Sequence, residues 1–144
     1  MNSIKIDTAK RYTDLLKTVL KDSISSVFVF GSVARGEDTD KSDIDLMVIV
    51  DGLPSPDQME KLGTTGRFDE LKGHAEFHDI SCVIVTGERY RTHLEMRMPR
   101  EGINPLKEAM VLYDTGFIAG LKEQVESGSI SLREDAYLDY TENG

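Results

Sequence analysis

Apolar positions recur along this chain with two different periods. Between residues 7 and 23, Ala9, Tyr12, Leu15, Leu16, Val19 and Leu20 fall on one stripe of a helix, with Asp7 as its N-cap. Residues 26–30 and 43–50 are short apolar runs that read as strands, the first ending at Gly31 and the second bounded by Gly52 and Pro54. Ser55 and Pro56 then open a helix whose continuation to Leu71 is weakened by Gly63 and Gly66. Residues 75–85 form a third strand. Residues 86–98 form a helix with Tyr90, Leu94 and Met98 four apart, stopping before Pro99. A turn over "EGINPL" leads to a fourth strand at 108–113. A helix follows at 117–127, with Phe117, Ile118, Leu121 and Val125 on one face, and a short helix at 132–140 completes the pattern.

Alternating strands and helices point to one α/β-type domain of two or three layers. No repeat or low-complexity tract interrupts it. The longest uncharged apolar runs, Val27 to Phe30 and Leu46 to Val50, fall far short of the ~20 residues of a membrane span. No apolar leader segment is visible at the N-terminus. The single cysteine, Cys82, cannot form an intrachain disulfide, which suits a reducing cytoplasm. His74, His78 and His93 lack metal-site spacing, and His78 is expected on the sheet face opposite Asp79.

The formal net charge of the 144 residues is -9. That excludes the broad basic footprint of a general nucleic-acid binder, so no direct nucleic-acid binding is expected. It leaves room for nucleotides bridged by divalent cations, for a basic protein partner, or for plain solubility.

The chemistry concentrates in "VFVFGSVARGEDTDKSDIDLMVIV", residues 27–50. On a strand, residues i and i+2 share a face, so Asp43 and Asp45 project together, followed on that face by Met47 and Ile49. Two like charges so close repel, and a divalent cation between them reverses the sign. Carboxylates are hard oxygen donors suited to Mg²⁺ or Mn²⁺. Alone, the pair reads more readily as strand-entry residues capping a turn. Gly31-Ser32 sits at the end of the preceding strand, where a glycine lets backbone approach a ligand. Arg35 carries a fork suited to phosphate. Strand punctuation and a solvated side chain are the plainer accounts of these two features. For a third carboxylate, Asp79 shares a strand face with Ser81, Val83 and Val85 and is preferred over Glu76 and Asp69.

The combination resembles the minimal nucleotidyltransferase family of the DNA polymerase β-like superfamily. The pattern is Gly-Ser, ten residues (Val33 to Ser42), then Asp-x-Asp, set between apolar strands; "PLKEAMVLYD" also looks like that family's closing strand. The resemblance implies an α+β fold with a mixed four-stranded sheet, helices packed on it and a C-terminal helical extension. Residues 1–115 are then the nucleotidyltransferase domain and 116–144 the extension. It implies transfer of a nucleoside monophosphate from an NTP, with AMP from ATP the preferred case. Gly31 and Ser32 would hold the triphosphate, with Arg35 on the phosphates and Ser42 fixing the loop. Asp43, Asp45 and Asp79 would bind Mg²⁺ or Mn²⁺, and Asp79 would help activate the attacking hydroxyl. Small members of this kind act beside a HEPN-family partner as antitoxins, some by adenylylating it. A binding-only antitoxin and a small-molecule nucleotidyltransferase with a dimeric acceptor site are the alternatives.

Overall fold

A computed structural model describes residues 3–130. Helix α1 (Ser3–Leu20) leads through a 3-10 turn into β1 (Ile24–Phe30), which passes directly into the short helix α2 (Gly31–Arg35). After a loop come β2 (Ile44–Val50) and α3 (Pro56–Leu62), the latter closed at its start by a reciprocal cap between Ser55 and Gln58. Two four-residue strands follow, β3 (Thr64–Arg67) and β4 (Glu70–Gly73), then β5 (Ile80–Thr86) and α4 (Gly87–Glu95). A wide turn at Pro99–Ile103, helix α5 (Asn104–Glu108), strand β6 (Met110–Asp114) and helix α6 (Phe117–Glu126) complete the described chain.

The six strands lie in the order β3-β4-β5-β2-β1-β6. β2 and β5 run parallel and every other pair is antiparallel, so the sheet is mixed, as expected. Alternation along the central strands feeds two cores. Ile44, Leu46, Val48 and Val50 pack with Ala9, Tyr12, Leu16 and Leu20 of α1 on one face. Met47 and Ile49 pack with Phe28, Tyr90, Leu94, Leu106, Ile118 and Leu121 on the other. Helices therefore cover both faces, giving three layers. The buried Tyr90 hydroxyl donates to the Gly102 carbonyl at 2.9 Å, which ties α4 to the turn that follows it.

Several expectations need correction. The sheet has six strands, not four, because the segment expected to prolong α3 folds instead as the β3–β4 hairpin. Gly63 ends α3 in the left-handed region, and the hairpin hides little apolar surface beyond Leu71, so its alternation is faint in sequence. The third expected strand starts at Ile80 rather than 75, because Ala75–Phe77 is a 3-10 turn with Ala75 at φ 54. α1 starts at Ser3, which places Asp7 inside the helix rather than at its cap. "EGINPL" is part of a wide turn and a helix, so the last strand begins at Met110 and Glu108 ends α5. The expected helix at 132–140 lies outside the described residues. Among the described residues no helix is long and apolar enough to cross a membrane.

Cys82 is 1% exposed within β5, and burial pushes its thiol up to about 12. The native protein at about pH 8 should therefore resist a thiol-specific reagent that labels the denatured chain completely. Fast stoichiometric labelling of the native state would contradict this packing.

Candidate active site

The site begins where β1 turns into α2. Gly31 has φ +74, and a Cβ at this position would overlap the carboxylate oxygen Oδ2 of Asp45. Glycine is needed here both for the left-handed backbone and for the missing atom. Across the β1–β2 ladder Phe30 pairs with Asp45, so the strand end and the carboxylate are held side by side. The Ser32 hydroxyl makes no hydrogen bond among the described residues, whereas its carbonyl accepts the Glu37 amide at 2.9 Å as α2 ends at left-handed Gly36.

The loop between α2 and β2 is tied down from α1. Lys5, only 7% exposed, donates to the carbonyls of Thr39 at 2.6 Å and Ser42 at 2.9 Å and pairs with Asp38 at 3.3 Å. The Ser42 hydroxyl accepts the Thr39 amide at 2.9 Å, a bond internal to the loop. The loop then delivers Asp43 and Asp45 to one face of β2, the face continued by Met47 and Ile49.

Charges converge on the two aspartates. The Asp43 carboxylate takes an ion pair from Lys72 of β4. Burial pushes the Asp45 carboxyl above its ordinary value, the Asp43 charge and Glu108 push it further, and Lys72 and Arg35 pull it back. Glu108, at the end of α5, accepts the Gly31 amide at 2.8 Å through one oxygen and Arg35 Nη1 at 2.8 Å through the other. Arg35 Nε donates to Glu37 at 3.0 Å.

Asp79 immediately precedes β5. Its carbonyl accepts the Ile44 amide at 2.8 Å, and the parallel register sets Ile44 beside Ile80, so Asp79 lies level with Asp43. Val83 and Val85 join the core on the Asp45 face, which is the face expected for Asp79. Its carboxylate pairs with His78 Nε2 at 3.2 Å, so His78 turns toward Asp79 rather than away from it. The structure thus joins Gly31, Asp43 and Asp45 in one cluster, with Arg35 beside it through Glu108. Ser42 serves the loop, and Asp79 stands at the same rim facing His78. Among the described residues no three His, Cys, Asp or Glu side chains are gathered as a metal site. Asp43 and Asp45 nonetheless fit a divalent cation: they are paired hard donors, and the cost of ionising Asp45, set first by burial and then by the neighbouring Asp43 charge, is one that a bound cation offsets.

Sequence reasoning missed Glu108, Lys72 and Lys5. Each acts across more than twenty residues of chain, on Gly31 and Arg35, on Asp43, and on the 38–42 loop respectively. Only for Lys72 was a local signal available: strand alternation in "ELKG", with Leu71 and Gly73 inward and Lys72 outward.

Residues 14–97 match the family described as "Polymerase beta, Nucleotidyltransferase". The chain belongs to this nucleotidyltransferase family. Gly31, Ser32, Asp43, Asp45 and Asp79 lie inside the matched segment, and Glu108 lies beyond it. Two relatives in Methanocaldococcus jannaschii are "Putative protein adenylyltransferase MJ0141", 33% identical over 57 residues, and "Putative protein adenylyltransferase MJ1379", 41% identical over 59 residues. Each alignment covers 40% of this chain and 58% or 59% of the relative, so the match spans under two thirds of either relative's length. The nucleotidyltransferase-like protein from Exiguobacterium sibiricum 255-15 shares the fold at a TM-score of 0.56 and 15% identity, over 90% of this chain and 40% of that one. The nucleotidyltransferase fold read from the Gly-Ser and Asp-x-Asp spacing is therefore correct.

Substitutions at Gly31 and Asp45 probe this arrangement. Gly31→Ala should destabilise the protein by about 1–3 kcal/mol, and Gly31→Ala with Asp45→Ala by less than the sum of the two singles, as measured by denaturant unfolding. Asp45→Asn should raise the melting temperature by a few degrees at most at neutral pH. The sign follows from the raised carboxyl: the ionised native form is penalised above its folded pKa, and the penalty vanishes as pH falls below the unfolded value. The advantage of the Asn variant should therefore shrink on acidification, which melting curves across pH would reveal.

Proposed function

We propose that this protein transfers a nucleoside monophosphate, AMP from ATP, to a hydroxyl group on a partner protein. The observation that carries this reading is the contact between Gly31 and Asp45, which unites the glycine–serine turn and the carboxylate pair at one rim of the sheet. The names of the two archaeal relatives support a protein acceptor.

In this reading Ser32 offers its unengaged hydroxyl to the triphosphate and Arg35 offers the edge of its guanidinium. Ser42 keeps the intervening loop closed, so that Asp43 and Asp45 arrive at a fixed distance from the turn. Asp43 and Asp45, joined by Asp79 once it leaves His78, would hold Mg²⁺ or Mn²⁺, which would supply charge neutralisation at the phosphates. Asp79, released from His78, takes the proton of the attacking hydroxyl. The acceptor oxygen forms its bond to the α-phosphorus, the bond to the bridging oxygen breaks, and pyrophosphate leaves. Little covalent chemistry falls to the protein; its contribution is positioning and charge.

The partner we assign is a HEPN-type RNase toxin, with this chain as its antitoxin. The net charge of -9 suits a basic partner. Labelled ATP, Mg²⁺ and the purified product of an adjacent helical gene should yield labelled partner. Asp43→Asn with Asp45→Asn should reduce labelling by about 100-fold or more. Absence of label with the unmodified protein, together with neutralisation that survives the double substitution, would establish neutralisation by binding alone.

A further inference from the structure

Glu108 stands outside the motif that defines the site, yet it touches both of the motif's proposed phosphate-facing elements. It lies 77 residues from Gly31 and 73 from Arg35. One carboxylate oxygen takes the Gly31 amide and the other takes Arg35 Nη1, each at 2.8 Å. Its side chain is 21% exposed, so the bond to Arg35 is sheltered on the Glu108 side. α5 packs on both α2 and β1, which places the carboxylate at their junction.

An acid at this position has a cost. It adds negative charge near Asp45, and an incoming triphosphate adds more. What the protein gains is the orientation of a guanidinium. Arg35 is held at Nε by Glu37 and at Nη1 by Glu108, while Nη2 has no partner among the described residues. Two ion pairs thereby restrain a long flexible side chain with one edge presented, which lowers the entropy lost when that edge binds an anion. The same carboxylate fixes the amide of the residue that lies against Asp45.

We infer that Glu108 is a positioning residue for nucleotide binding, acting through Arg35 and the Gly31 backbone. This rests on the nucleotidyl-transfer reading of the site. Glu108→Gln keeps an acceptor for the Gly31 amide and loses the charge-assisted bond to Arg35. Glu108→Ala loses both.

Binding of Mg²⁺–ATP by titration calorimetry tests this, with melting curves as a folding control. Glu108→Ala should weaken binding about 10-fold and Glu108→Gln about threefold. Arg35→Ala should weaken it at least as much as Glu108→Gln, and the double variant Arg35→Ala with Glu108→Gln should bind within about twofold of Arg35→Ala alone. The nucleotide-free proteins supply a second measurement, the nitrogen-15 and proton signal of Arg35 Nε. It should be resolved in the unmodified protein and lose its distinct shift in both Glu108 variants. If Glu108→Ala does not fold, Glu108→Gln and this signal decide the matter. Unmodified protein that binds Mg²⁺–ATP while the Glu108 variants bind equally or more tightly would overturn the assignment. So would additive losses in the double variant. Unmodified protein that shows the resolved Arg35 signal and binds no nucleotide would overturn the functional reading itself, and this inference with it.

Discussion

Strand β2 has no freedom to slide. Residues Leu46 to Val50 are buried, alternate between two cores, and pair with β1 on one edge and β5 on the other. Side chains on a strand repeat every two residues, so a slip of one position would exchange every inward and outward group. Leu46 and Val48 would leave the α1 core, and Asp45 would enter it. Each displaced apolar side chain represents about 1.5–3 kcal/mol, and a few of them equal the whole stability of a typical domain. The two carboxylates are therefore held at the rim by the same packing that holds the domain together.

The rim has its own balance of charge. Asp43, Asp45 and Glu108 are set against Lys72 and Arg35, and four of these five come from different elements. The Lys72–Asp43 pair is half exposed, so its worth to stability is small. Its effect is local: a lysine ammonium rests on a carboxylate proposed to hold a cation. Glu108 does the reverse and adds an acid where anions are proposed to bind. Both are contributed by segments that follow the motif in the chain, the β3–β4 hairpin and α5. The motif places the reactive groups, and these segments set their charge and orientation.

This division explains how much was legible in the sequence. The Gly31–Ser32 and Asp43–Asp45 spacing was readable because it is local and repeats a known pattern. The sheet face of Asp45 followed from the two-residue period, which Met47 and Ile49 continue into the core. The β3–β4 hairpin was not readable, since Leu71 is its only fully buried large apolar side chain and its glycines look like breaks in a helix. Glu108 looked like the first residue of a strand, and only the helical turn of α5 brings its carboxylate to Gly31. Contacts made across seventy residues leave no periodic trace in either partner. His78 was misplaced for a related reason: the 3-10 turn at Ala75–Phe77 ends the strand alternation from which its direction was drawn.

Lys5 gives the first turn of α1 a part in this arrangement. Its ammonium is the common tether of Asp38, Thr39 and Ser42, and so of the segment that delivers Asp43 to the rim. A nearly buried ammonium with two carbonyl acceptors and one carboxylate has no equivalent in a shortened helix. A fusion tag, a trimmed leading segment or a binding partner that draws this turn away from the domain would act on the site from its reverse side, leaving every residue of the motif unchanged. For protein engineering, Lys5 is thus an interior position in the first turn of an otherwise exposed helix start.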